Sequence, residues 1–352
     1  MIELIDVTSL LSGPAVGQAA TDAAILRAAT TAGFMTITAA PGLLPADAAT
    51  RAALLRAFAL TPPQRAKLLR RSFAPGNVAL YRGWFPLQDG VLSYKEGIDI
   101  GPDIADAARA DPTPGGDPLR EPTPLPDEAA LPGWRAAAAD YFRAMEQLGA
   151  RLMQSLARGL GLPEDYFDAP FAFGISTLRL IHYPPRPPAS FGPRADLFVS
   201  HAGATRYLIG GAHVDSGFVT LLAQDGVAGL QAEDSAGNWV DVPPREGTLA
   251  VNFGALLQRW TGGRIRATRH RVIGLGQPRH SIPFFYEPAA EAIIATLPLP
   301  GAPAVPPFRY GDHLWAAMLK FPEFRGLDGA RPPRGVPADW HAGASHPRSH
   351  RT

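Results

Sequence analysis

The chain has 352 residues, of which 46% are apolar and 18% charged, and its formal net charge is +1. That length can bury one large core or two modest ones, and the charge balance argues against nucleic acid or an anionic membrane as a partner. There is no cysteine, which excludes disulfides, cysteine-ligated zinc, iron–sulfur clusters and thiol nucleophiles, so any metal must be held by His, Asp and Glu.

The opening residues, MIELIDVTSLL, carry acids and no basic stretch, unlike a signal peptide, and the chain is expected in the cytoplasm. Ile2 to Ile5 reads as a short strand, and 16–32 as an Ala-rich helix too polar, at Asp22, Arg27 and Thr30, to span a membrane. A second strand, Gly33 to Ile37, follows a glycine break. Leu54, Leu55, Phe58 and Leu60 put a helix at 45–60. Residues 72–126, rich in Pro, Gly, Asp and aromatics, read as long ordered loops, in which Lys95 and Glu96 form a surface pair.

From Pro132 to Gly161 apolar residues recur every three or four positions, from Trp134 through Phe142 and Leu152 to Leu160, which predicts a helix packed on a sheet. After residue 170 the pattern becomes short strands with turns: 174–183, 204–213, 217–223, 228–233, 238–242, 247–252, 265–275 and 280–287. The expected fold is mainly β with flanking helices around a double-stranded β-helix, or jelly roll. Residues 311–320 look helical. The expected organisation is an N-terminal α/β and loop region (1–125), a packing helix (126–170), the jelly roll (171–290), a C-terminal helical segment (291–330) and a disordered tail (331–352).

Chemistry-bearing residues cluster in the jelly roll. In GGAHVDSGF, His213 and Asp215 are two apart and share a face if 207–215 is a strand. Of the nine histidines, His270, in the β-branched stretch IRATRHRVIGL, is the best third ligand. Two His and one Asp form the facial triad of non-haem Fe(II) oxygenases, and zinc can use the same donors. Arg279 and Ser281 are again two apart, a fork and a hydroxyl suited to a carboxylate, with His280 facing outward and Phe285 sharing their face.

These residues resemble a known family. H-x-D, a His 57 positions later and R-x-S nine beyond that look like the iron(II)/2-oxoglutarate-dependent oxygenases, in particular the isopenicillin N synthase-like branch. The resemblance extends over nearly the whole chain through IELIDVTSLL, AGFMTITAAPGL, YRGWFPLQDGVLSYKEGIDIGPD and LRLIHYPP. It implies His213, Asp215 and His270 as iron ligands, with Arg279, Ser281 and Tyr183 on the far carboxylate of 2-oxoglutarate. Plant relatives often have Asn where Ile181 stands, so one cosubstrate contact is absent or replaced. Arg179 is either a second carboxylate clamp or a strand residue facing solvent, and Phe285 a pocket residue. AHVDSGFVTLLAQD, WTGG, YEP and YGDH also resemble the bacterial ethylene-forming enzyme.

The implied activity is dioxygenation, by default hydroxylation, of a small organic substrate with Fe(II), 2-oxoglutarate and O2, releasing succinate and CO2. Rival readings are an isopenicillin N synthase-like oxidase or ethylene-forming-type enzyme, a metal-dependent hydrolase, and a non-catalytic metal-binding barrel.

Overall fold

The computed structural model describes residues 2–12, 17–89, 91–302, 304–324 and 326–337. The strands in chain order are β1 (Glu3–Asp6), β2 (Phe34–Thr38), β3 (Gly83–Phe85), β4 (Glu96–Ile100), β5 (Thr177–Tyr183), β6 (Phe198–His201), β7 (Ala204–His213), β8 (Val219–Gln224), β9 (Leu230–Glu233), β10 (Trp239–Asp241), β11 (Leu249–Phe253), β12 (His270–Gly274), β13 (Arg279–Tyr286), β14 (Ile293–Ile294) and β15 (Phe308–Arg309). Eight of them form a large sheet in the order β1-β2-β11-β8-β13-β5-β4-β3, and five a smaller one, β10-β9-β12-β7-β6. The two sheets face each other as the predicted jelly roll.

Two cores follow from the alternation of side chains along these strands. Ile181, Tyr183, Ile209, Leu222, Leu230, Ala250 and Val272 meet between the sheets. The outward residues of the large sheet, among them Leu180, Leu221, Val251 and Phe284, pack instead on the helix Trp134–Leu160. That helix buries the stripe its period predicts and ends at Gly161, whose left-handed φ of 76° lets its N–H cap the carbonyls of Ala157 and Arg158. Phe142 meets Phe284 edge-on, ring centroids 5.0 Å apart. Gly149 lies flat against the ring of Tyr286, where any side chain would collide, and this lets the helix lie close to β13.

Several expectations change. Residues 72–126 contain β3 and β4, which extend the large sheet beyond β5. These strands are short and buried on both faces, so they carry no polar/apolar alternation to reveal them. Lys95 and Glu96 do not pair: Glu96 binds Arg65 and His182, each at 3.0 Å. The strand expected over 265–275 begins only at His270, and β7 stops at His213, so Asp215 lies on the following turn. Arg331 is buried against Asp117 and Asp312, and residues 338–352 of the expected tail lie outside the described residues. Among the described residues, no helix is long and apolar enough to cross a membrane.

Candidate active site

Antiparallel pairing of β7 with β12 makes His213 and His270 register partners. The turn after β7 folds back and is fixed by the helix Ala255–Trp260, whose Ala255 N–H donates to the Asp215 carbonyl at 2.7 Å. One ligand atom from each of His213, Asp215 and His270 then lies within 4.8 Å of the others.

Each side chain is held so that one atom is free. His213 Nδ1 lies 2.8 Å from the Gly211 carbonyl, and His270 Nδ1 lies 3.2 Å from that of Thr268. A carbonyl only accepts, so Nδ1 carries the proton in both rings and each Nε2 keeps its lone pair. Asp215 is oriented in the same way. Its Oδ2 accepts from Thr220 Oγ1 at 2.6 Å and from Asn252 Nδ2 at 2.7 Å. Its Oδ1 is left 3.5 Å from His213 Nε2 and 3.8 Å from His270 Nε2.

The electrostatics keep Asp215 and His270 in their ligating forms. Burial pushes the Asp215 carboxyl up, but His270, His213 and the Thr220 hydroxyl outweigh it and hold the group well below the usual carboxylate range. Burial lowers the pKa of His270 and favours the neutral ring. An ionised carboxylate and a neutral imidazole are the forms that bind a divalent metal.

Arg279 and Ser281 face the interior of the barrel from β13. Arg279 pairs in register with Tyr183, and Ser281 with Ile181 on one side and Gln224 on the other. The Arg279 guanidinium is 1% exposed and lies 5.4 Å from the centre of the Tyr183 ring. Its Nε donates to the Val227 carbonyl and its Nη2 to Gln224 Oε1, both at 3.3 Å, while Nη1 has no partner. Burial lowers its pKa. A buried cation with an orphaned N–H edge fits a carboxylate that enters with a ligand.

Arg179 also faces inward, so the solvent-facing alternative is excluded. Its Nε and Nη2 both bind Asp99, the latter at 2.7 Å, so the fork is already occupied. Arg70, fully buried, binds the same carboxylate. Phe85 lies 5.3 Å from the Arg70 guanidinium and 5.4 Å from that of Arg179, and Phe285 lies 5.5 Å from Arg179. Tyr81 and Trp84 pack in the helix-side core. Ile181 sits in the inter-sheet core and offers no polar contact in place of Asn. His280 faces outward, stacked on His182 at 4.7 Å.

Sequence reading missed the residues that orient Asp215 and Arg279. Asn252 gave a signal: an amide inside the apolar strand LAVNF needs a buried partner. Thr220 and Gln224 gave none, since both fit an ordinary strand. A buried pair was also missed. Glu287 accepts from the Tyr310 hydroxyl beneath the Asp215 turn, and burial raises its pKa to about 8 against that hydrogen bond.

The sequence pattern of the 2OG-Fe(II) oxygenase superfamily matches residues 175–288. Isopenicillin N synthase from Streptomyces clavuligerus is 30% identical over 264 residues, covering 73% of this chain and 76% of that protein. The proline hydroxylase buaE of Petromyces alliaceus is 35% identical over 217 residues, 59% of this chain and 60% of its own length. This and two other curated relatives are matched over only 60%, 57% and 56% of their lengths. A full-length Neurospora crassa protein solved in complex with alpha-KG superposes with a TM-score of 0.73 at 26% identity, covering 90% of this chain and 95% of that one. With the jelly roll and the His-Asp-His cluster, these likenesses show that the chain belongs to the 2OG-Fe(II) oxygenase superfamily.

Proposed function

We propose that the protein is an Fe(II)- and 2-oxoglutarate-dependent dioxygenase that hydroxylates a small organic substrate, with residues 171–290 as the catalytic unit. The observation that carries this reading is the pairing of two features inside one barrel: three convergent ligand atoms and a buried Arg279 whose Nη1 lacks an acceptor.

His213, Asp215 and His270 hold the metal in this reading, and Arg279, Ser281 and Tyr183 bind the far carboxylate of 2-oxoglutarate. When bound, Fe(II) with 2-oxoglutarate and O2 supplies the oxidation, in which a substrate C–H becomes C–OH while the cosubstrate becomes succinate and CO2.

The protein supplies position and dryness. Thr220 and Asn252 fix which Asp215 oxygen points at the metal. Gln224 and the Val227 carbonyl set the plane of the Arg279 fork. The apolar residues between the sheets exclude water and strengthen both sets of polar contacts. Phe285 and Arg179 line the substrate side of the pocket. The same reading takes the enzyme as cytoplasmic, with neither nucleic acid nor membrane as partner, and a formal net charge of +1 is consistent with that.

The test is anaerobic reconstitution with Fe(II), then 2-oxoglutarate. A weak visible charge-transfer band that is lost in His213→Ala, and succinate release on admitting air, are expected. No band and no succinate would overturn the proposal. Iron binding and substrate oxidation without 2-oxoglutarate would favour the oxidase alternative.

A further inference from the structure

Residues 91–95 form a strap across the seam between the two sheets. Its near end is fastened to β7: Gly211 N–H donates to Ser93 Oγ, and Tyr94 N–H to the Ile209 carbonyl, each at 3.1 Å. Arg186 donates to the carbonyls of Val91 and Leu92 at 2.8 and 3.1 Å. Leu92 lies against Gly211 so closely that no side chain fits there. The far end runs directly into β4, whose first residue, Glu96, is the register partner of His182.

Continued back by one residue, the alternation of β4 puts Lys95 on the side opposite Glu96. Glu96 is engaged on the outer side by Arg65 and His182. Lys95 shares the side of Gly97 and Asp99, and across the ladder that of Ile181 and Arg179, which is the barrel interior.

The ammonium has no counter-charge. Among the described residues Lys67 is the lysine with a carboxylate partner, Asp127 at 3.7 Å, and Lys95 is half-buried with none. The proposed complex does not supply one either. The metal dication, the Asp215 carboxylate, the 2-oxoglutarate dianion and the Arg279 guanidinium cancel one another, which leaves Lys95 as surplus charge at the seam that the strap bridges. A half-buried cation that a bound ligand covers costs free energy unless an anion meets it. Arg179, the other cation on this wall, already has Asp99. The choice of residue is also notable, because only three of the chain's 33 basic residues are lysines: Lys67, Lys95 and Lys320. Lysine is a point charge on a flexible stem, suited to following a ligand into a pocket mouth.

We propose that Lys95 determines substrate specificity by holding a carboxylate of the substrate at the barrel mouth, so that the substrate is a small carboxylic acid. This rests on the 2-oxoglutarate-dependent reading above.

The test uses the full chain with Fe(II) and 2-oxoglutarate under anaerobic conditions. Phenylacetate, hexanoate, L-leucine and L-phenylalanine are titrated, each beside its methyl ester, and binding next to the metal is read as a shift of the charge-transfer band. Succinate release in air is the second readout. At least one acid should shift the band and stimulate succinate release, with its ester binding roughly tenfold or more weaker. Lys95→Met should weaken that acid by roughly tenfold or more without weakening the ester, and Lys95→Arg should recover most of the loss. Esters binding as well as acids, or no acid shifting the band, would overturn the proposal. So would Lys95→Met weakening 2-oxoglutarate as much as the acid, since the ammonium would then serve the cosubstrate. Failure of the wild type to form the band would sink the underlying reading, and the role of Lys95 with it.

Discussion

His213 and His270 stand opposite each other on neighbouring antiparallel strands, ring centroids 4.3 Å apart, each with its Nδ1 on a backbone carbonyl two residues earlier in its own chain segment. The hydrogen bonds that orient the two rings come from main chain alone, so their geometry depends strongly on sheet register. Asp215 differs, because it lies on a turn and depends on two borrowed side chains.

That difference gives the first prediction. Thr220→Val and Asn252→Leu should each weaken Fe(II) binding by roughly 10–100-fold, because Asp215 loses one of the partners that aim its free oxygen. Anaerobic Fe(II) titration followed by intrinsic fluorescence checks it. Wild-type affinity in the double variant would show that the turn alone positions Asp215.

Arg279 separates cosubstrate from metal. Arg279→Met should raise the 2-oxoglutarate Kd by roughly 100-fold or more and leave the Fe(II) Kd within about twofold. The ligand-free variant should melt no lower than wild type, because the guanidinium is buried without a full set of partners. Its thermal stabilisation by 2-oxoglutarate should disappear. Loss of iron with retention of 2-oxoglutarate would reverse the roles assigned here.

Asp99 is shared by Arg70 and Arg179, and all three side chains are largely buried. Asp99→Asn leaves two guanidinium groups without their common counter-charge and should cost about 3–5 kcal/mol in urea unfolding. Adding Arg70→Met should recover part of that loss. A loss under about 1 kcal/mol would mean that water, or the carboxylate of Glu323 whose charge favours both charged guanidiniums, compensates the pair.

Glu287 makes stability depend on pH. Its carboxyl titrates near 8 in the folded chain, raised by burial from an ordinary value of 4.5. The folded state therefore binds a proton that the unfolded state has released. The stabilisation is fully present below about pH 4.5 and is lost as pH rises through about 8. Over that window the wild type should lose on the order of a few kcal/mol relative to Glu287→Gln. Paired denaturation curves at several pH values measure this. Parallel curves for the two proteins would place the carboxyl in its ordinary range.

The legible parts of the fold were those with a strong period or a specific residue spacing. The helix Trp134–Leu160 announced itself through a stripe every three or four residues, and β7 and β13 through length and alternation. β3 and β4 did not, because strands of three and five residues buried on both faces have no polar side to mark the period. For the same reason Lys95 and Glu96 looked like surface neighbours. Only strand parity shows that they face opposite sides of a sheet wall.

The sequence by itself determined the inventory of chemistry: no thiols, two histidines and an aspartate at telling intervals, and an arginine and a serine two residues apart on an alternating segment. These are local facts, set by residue identity and by the two-residue period of a strand. The tertiary structure decided which atoms of those residues are free. Thr220 and Gln224 on β8, Asn252 on β11 and the carbonyls of Gly211, Thr268 and Val227 come from segments apart in sequence, and their hydrogen bonds leave one Asp215 oxygen, two imidazole nitrogens and one guanidinium edge without partners. Hydrogen-bond satisfaction is a property of neighbours in space, and it becomes visible only when strands distant in sequence lie side by side.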